Sequence, residues 1–182
     1  VEESLAHYIS NDTGLDINNL RLVFSSTDDQ PFDQNDDRSK IIKSISGLKI
    51  IDPACGSGAF PMGALQKMVH ALSKLDPGNK LWRKSQKERL MHETFAAFES
   101  TDLEDLKKEV DAIFDNQLND PDYARKLYLI ENCLYGVDIQ PIAMQISKLR
   151  FFISLLVEQH IDREDENFGI IALPNLETKF LA

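Results

Sequence analysis

Asp52-Pro53-Ala54-Cys55-Gly56-Ser57-Gly58-Ala59-Phe60 is the stretch on which the reading of this chain turns. A short apolar run (Leu48, Ile50, Ile51) precedes it and a helical pattern follows. The order is strand, tight glycine turn, helix N-terminus. Open α/β sheets use that geometry to hold a nucleotide-like ligand at the carboxyl end of a strand. Gly56 and Gly58 flank one serine, so backbone can pass close to a ligand with no Cβ in the way. Asp52 narrows the ligand further. A carboxylate at the mouth of the loop repels a pyrophosphate but suits a molecule carrying an ammonium and a sulfonium.

Two competing glycine motifs fail on the same residues. A dinucleotide fingerprint needs a third glycine three positions after the second, but position 61 is Pro and the next glycine is Gly63. A phosphate-binding P-loop needs Gly-Lys-Ser/Thr after four intervening residues, and none follows. Cys55 sits inside the loop with no histidine-based partner arrangement, so it reads as a small loop residue rather than a nucleophile.

Leu134-Tyr135-Gly136-Val137-Asp138-Ile139 is a second buried-strand pattern ending in an acid. In a doubly wound fold, the acid at the tip of the second strand accepts hydrogen bonds from the ribose hydroxyls. Asp138 alone would be an ordinary strand-end acid; coupled to the glycine loop, the ribose role becomes the better reading. The usual distance between loop and acid is about 20 residues, and here a helical insertion enlarges it.

Four stretches follow in chain order. Residues 1–46 form an N-terminal helical region, with Leu5 and Ile9 on one helix face over residues 2–9. An acidic loop at 25–38 and a short helix around Ile41, Ile42 and Ile45, closed by Gly47, complete it. Residues 47–75 hold the first strand, the loop and a helix with Pro61 in its first turn. That helix has an apolar face of Met62, Leu65, Met68, Val69, Leu72 and Leu75, and Asp76-Pro77-Gly78-Asn79 stops it.

Residues 76–131 are the helical insertion. It includes a capping-box pattern at Thr101 and Glu104, an apolar series Leu103, Leu106, Val110, Ile113 and Phe114, and a helix starting at Asp120-Pro121. Residues 132–182 carry the second strand, a helix opened by Pro141, and the start of a third strand. Ile142, Ile146, Leu149, Phe152, Ile153 and Leu156 are expected to face the sheet from that helix. Trp82, Phe95 and Phe98 read as packing aromatics, and His70 and His92 as structural histidines.

Composition sets the outer bounds. At 182 residues with 42% apolar content the chain can build one core, and no apolar run approaches a membrane span. The N-terminus lacks a signal-peptide pattern, and Cys55 and Cys133 have neither metal nor disulfide spacing, which points to the cytoplasm. Thirty acids against 20 bases leave a net charge of −10. Nucleic-acid grip depends on basic surface, and the Arg83-Lys84 and Lys107-Lys108 pairs are interleaved with acids. This chain alone is expected to bind duplex DNA poorly, any DNA contact being made by regions it lacks.

The loop string closely resembles motif I of the amino-group DNA methyltransferases, whose N6-adenine class has the form Asp-Pro-Ala-x-Gly-Ser-Gly-x-Phe. The likeness extends to Pro61-Met62-Gly63, Tyr135-Gly136-Val137-Asp138-Ile139-Gln140-Pro141, Lys148-Leu149-Arg150-Phe151-Phe152 and Leu173-Pro174-Asn175-Leu176-Glu177. Together these resemble the large bacterial N6-adenine methyltransferases of type IIG restriction–modification enzymes and bacteriophage-exclusion systems. Val1-Glu2-Glu3-Ser4-Leu5 resembles the tail of the motif X helix that precedes motif I there.

The resemblance implies a partial doubly wound, Rossmann-like α/β fold binding S-adenosylmethionine, which carries both the ammonium and the sulfonium. It implies that Asp52 holds the methionine ammonium and that Pro53, Ala54, Gly56 and Gly58 form the cofactor loop. Phe60 would pack on the methionine moiety, Asp138 bind ribose and Ile139 flank the adenine. The family's catalytic Asn-Pro-Pro-Tyr/Phe is nowhere in this sequence. The chain therefore reads as the cofactor-binding part of a site-specific adenine methyltransferase, with no catalytic residue of its own and no metal site. Two alternatives are a methyltransferase-like module that scaffolds a restriction complex, and a nucleotide-binding oxidoreductase domain. Asp52 and the missing third glycine weigh against the second.

Overall fold

The computed structural model describes residues 1–97, 121–159, 164 and 178–181. The capping box at Thr101 and Glu104, the apolar series over 103–114, Phe98 and the 173–177 segment lie outside the described residues, as do the side chains of His92 and Phe95. The element order is α1 (Glu2–Thr13), α2 (Ile17–Phe24), α3 (Asn35–Gly47), β1 (Ile50–Asp52), α4 (Ala59–Leu75), α5 (Lys80–Ala97), α6 (Pro121–Asn132), β2 (Leu134–Val137), α7 (Pro141–Leu156) and β3 (Lys179–Leu181).

The three strands form one parallel sheet in the order β1-β2-β3. Ile50 pairs with Leu134 and Asp52 with Gly136; Gly136 in turn pairs with Phe180 and Val137 with Leu181. Because side chains alternate along a strand, Ile51, Tyr135, Val137 and Leu181 share one face, and Leu134, Gly136 and Phe180 share the other. The second face is packed: Leu134 and Phe180 are buried, and the Phe151 ring of α7 sits 5.0 Å from that of Phe180. The first face is bare among the described residues, with Ile51 66% and Leu181 67% exposed. Parallel sheets are ordinarily covered on both faces. What is observed is an α/β arrangement around a small parallel sheet with helices on one side.

Of the N-terminal helices, α2 packs on α4, and α3 on α4 and α5. Gly14 closes α1 in a left-handed conformation (φ 74°), and the Asp16 side chain accepts the Asn19 N–H at 3.0 Å to start α2. Helix α2 was not expected from the sequence; its signal is this cap, a glycine stop followed at once by an Asx start. Helix α3 begins at Asn35, so the last residues of the expected acidic loop are helical. Asp36 and Asp37 stand in its first turn, where the helix dipole favours them. Along α4 the expected face is buried at Leu65, Met68, Val69, Leu72 and Leu75.

Helix α7 departs from its expected face. The buried stripe is Met144, Ser147, Phe151 and Leu155, whereas Ile142, Ile146, Leu149, Ile153 and Leu156 are exposed and Phe152 is half-buried. The helix is apolar on nearly every side, so periodicity offers two stripes and cannot choose between them. Contact with the glycine loop decides, because it needs the small Ser147 on the inner side. No helix among the described residues is long and apolar enough to cross a membrane.

Candidate functional site

Strand β1 ends on Asp52, and the chain turns at once through residues 53–58 into α4. Gly56 (φ 53°) and Gly58 (φ 78°) both adopt left-handed backbone, which L side chains rarely enter. The turn is fastened from within: the Asp52 Oδ1 accepts the Ala54 N–H at 3.2 Å, and the Cys55 carbonyl accepts the Gly58 N–H at 2.8 Å. It is also fastened to β2, where the Val137 carbonyl accepts the Cys55 N–H at 3.0 Å.

Asp138 joins the two halves of the site. Its Oδ2 accepts the Gly56 N–H at 2.9 Å across 82 residues of sequence, and its Oδ1 accepts the Gln140 N–H at 2.9 Å. Each carboxylate oxygen has a second lone pair, so both remain able to accept from a ligand. Asp138 itself is held by its own N–H donating to the Leu181 carbonyl at 3.2 Å. The loop and the tip of the second strand are thus one hydrogen-bonded unit at the carboxyl end of the sheet.

Around that unit, Pro53 and Ala54 are exposed and Asp52 and Asp138 half-buried. Phe60 is 48% exposed and Ile139 94% exposed. Two large apolar side chains in water beside two carboxylates suit a ligand that is part cationic and part apolar. The first turn of α4 has no side-chain cap, and Pro61 removes one of its N–H groups. The first intrahelical bond runs from the Met62 N–H to the Gly58 carbonyl, so the N–H groups of Ala59 and Phe60 have no acceptor within the helix, at an N-terminus where the dipole favours a negative group.

Three residues take on roles that pattern alone did not reveal. A Cβ on Gly58 would lie 2.2 Å from Ser147 Oγ, so close packing against α7 requires glycine there. A Cβ on Gly136 would lie 2.4 Å from the Phe180 ring and 2.7 Å from Cys55 Sγ. A glycine inside a strand pattern was the available signal for such an approach. Arg150, on α7, donates from Nη1 to the Ser57 carbonyl at 3.2 Å and to Ser57 Oγ at 3.3 Å.

Other candidates find structural places. Cys55 is buried, and burial first, then the nearby Asp52 charge, raises its thiol above the usual range, which disfavours a thiolate nucleophile. Cys133 is pushed by burial up to about 11. Trp82 is buried edge-on against Tyr128 at 5.2 Å, and His70 Nε2 lies 3.0 Å from the Ser25 carbonyl. Lys84 and Lys43 both reach Glu88, at 4.0 and 3.4 Å. Among the described residues no three His, Cys, Asp or Glu side chains cluster at metal-binding range.

No family model matches the chain, and no solved structure matches it. Over 136 residues, 75% of this chain, it is 29% identical to a protein of Methanocaldococcus jannaschii provisionally named a type II restriction enzyme and methyltransferase. The match takes in 8% of that protein, so the chain spans less than a tenth of its relative's length. The chain is therefore similar to one small part of a protein named as a restriction enzyme and methyltransferase.

Proposed function

We propose that these residues are the S-adenosylmethionine-binding part of a site-specific DNA adenine-N6 methyltransferase in a restriction–modification or phage-exclusion system. The observation that carries the reading is the Asp138–Gly56 hydrogen bond. It draws the glycine loop and a strand-tip acid, far apart in sequence, into a single ligand cradle at the end of a parallel sheet. The match to a protein named as a methyltransferase, and the loop's likeness to motif I, support the choice of cofactor.

When bound, S-adenosylmethionine supplies the electrophilic methyl group. The chain's own residues hold and orient. Asp52 offers a carboxylate to the ammonium, and the uncapped N–H groups at the start of α4 suit the carboxylate beside it. Gly56 and Gly58, with Pro53 and Ala54, shape a turn low enough for backbone to reach the ligand. The spare lone pairs of Asp138 accept the two ribose hydroxyls. Phe60 and Ile139 cover apolar surface that would otherwise stay in water. In this reading the adenine to be methylated is flipped from the duplex into a pocket built by sequence outside these residues, and DNA is gripped there too.

Asp138→Ala is expected to weaken S-adenosylmethionine binding by on the order of 1.5–3 kcal/mol, the range for hydrogen bonds to a charged group. Titration calorimetry on the complete gene product checks it; an unchanged affinity would move the ribose contact elsewhere. The 182 residues alone are expected to transfer no methyl group to DNA of any sequence, because Asn-Pro-Pro-Tyr/Phe is absent from them. Radioactive label passing from S-adenosylmethionine to DNA in the presence of this chain alone would overturn the division of labour proposed here.

A further inference from the structure

Helix α7 backs the glycine loop at three successive positions. Met144 Sδ lies 4.0 Å from Cys55 Sγ, Ser147 occupies the space a Cβ on Gly58 would need, and Arg150 donates to Ser57. The first two are buried contacts, but Arg150 is exposed and could have pointed into water. Instead its guanidinium reaches across 93 residues of sequence to one backbone carbonyl and the hydroxyl of the same residue. No carboxylate pairs with it among the described residues.

The residue it holds is the serine between the two loop glycines. Ser57 lies between two glycines in left-handed conformation, so the peptides on either side can rotate at little steric cost. The Ser57–Gly58 peptide is fixed at its nitrogen end, where the Gly58 N–H donates to the Cys55 carbonyl at 2.8 Å. Arg150 fixes the oxygen end of the same peptide. On the other side of Ser57, Asp138 fixes the Gly56 N–H. One strand–helix unit, β2 with α7, therefore supplies an anion to a loop N–H and a cation to a loop C=O. Charged partners make the stronger class of hydrogen bond.

We propose that Arg150 is a positioning residue for the cofactor loop, holding the Ser57–Gly58 peptide in the orientation that receives the ligand. It acts through Ser57 and touches no reacting atom. The inference rests on the reading of this loop as the S-adenosylmethionine site, and its test separates the two.

Three forms of the complete gene product are compared: wild type, Arg150→Ala and Arg150→Lys. Each is followed by calorimetric titration with S-adenosylmethionine, by thermal unfolding, and by amide hydrogen exchange over residues 54–58 without ligand. Arg150→Ala is expected to bind roughly tenfold more weakly, about 1.4 kcal/mol. Its unfolding temperature should be unchanged and exchange in the loop faster. Arg150→Lys, which keeps a cationic donor, should recover part of both.

Wild-type affinity together with wild-type loop exchange in Arg150→Ala would reduce Arg150 to a surface cation and end the proposal. A lowered unfolding temperature that tracks the affinity loss, with no recovery in Arg150→Lys, would also end it, since the effect would then be global. Failure of the wild type itself to bind S-adenosylmethionine, with loop exchange still accelerated in Arg150→Ala, would support the positioning role and overturn the ligand assignment.

Discussion

Gly58→Ala is expected to abolish measurable ligand binding and to destabilise the fold by about 2–5 kcal/mol. Two costs combine. An alanine held in left-handed backbone, as φ 78° demands, costs roughly 1–2 kcal/mol. The new Cβ would also meet Ser147 Oγ at 2.2 Å, Ser147 Cβ at 3.1 Å and its Cα at 3.4 Å. Rotating the hydroxyl away relieves only the first contact, and forcing extra atoms into a packed site typically costs about 1–3 kcal/mol. Helix α7 or the loop must shift, and either movement disturbs the Ser57–Gly58 peptide. Urea denaturation measures the stability, and calorimetry the binding. Ser147→Gly in the same chain should return the steric part alone, because Ser147 Oγ has no hydrogen-bond partner among the described residues. A single variant with wild-type midpoint and affinity would show that the loop can move aside freely.

Arg125→Ala should cost about 3–5 kcal/mol, the usual penalty for removing one member of a buried ion pair. Arg125 is 1% exposed, on α6. Its Nη1 donates to Asp122 Oδ1 at 2.9 Å, and its Nη2 donates to the Asp76 carbonyl and lies 4.0 Å from Asp76 Oδ2. Asp76 is 6% exposed and uses its carboxylate to accept the Lys80 and Trp82 N–H groups at 3.0 and 2.9 Å, which starts α5. Without the guanidinium, that carboxylate stays buried with its charge uncompensated, and the junction between α4 and α5 loosens. The unfolding midpoint in urea is the measurement. If Arg125→Ala alone left the midpoint in place, the pair would be as dispensable as an exposed one.

Local chemistry made the site legible before the fold. Asp52, Gly56 and Gly58 are residue types whose charge or backbone freedom has few uses at a strand end, so they could be singled out one by one, and Asp138 only through its coupling to them. Their union could not be read, because the Asp138–Gly56 contact is a tertiary fact. Helix α2 was missed although Ile17, Leu20, Val23 and Phe24 recur at helical spacing, because eight residues with two asparagines make a short signal. The α7 face was misread for the opposite reason, an excess of apolar positions. Arg150 and Gly136 were visible only as parts of longer likenesses, since their purposes lie in neighbours brought in from far along the chain.

The long insertion between β1 and β2 has a kinetic consequence. The loop's conformation depends on Val137 and Asp138, so it cannot form when its own strand and helix do. Closing a long segment is entropically costly, though the cost grows only slowly with length, and non-local parallel pairing is intrinsically slow. The cradle should therefore be among the last parts of this chain to assemble during refolding, after α4 has already acquired its helical structure. A nascent chain would expose an unformed turn until β2 arrives, and only then acquire the surface on which a small molecule can settle.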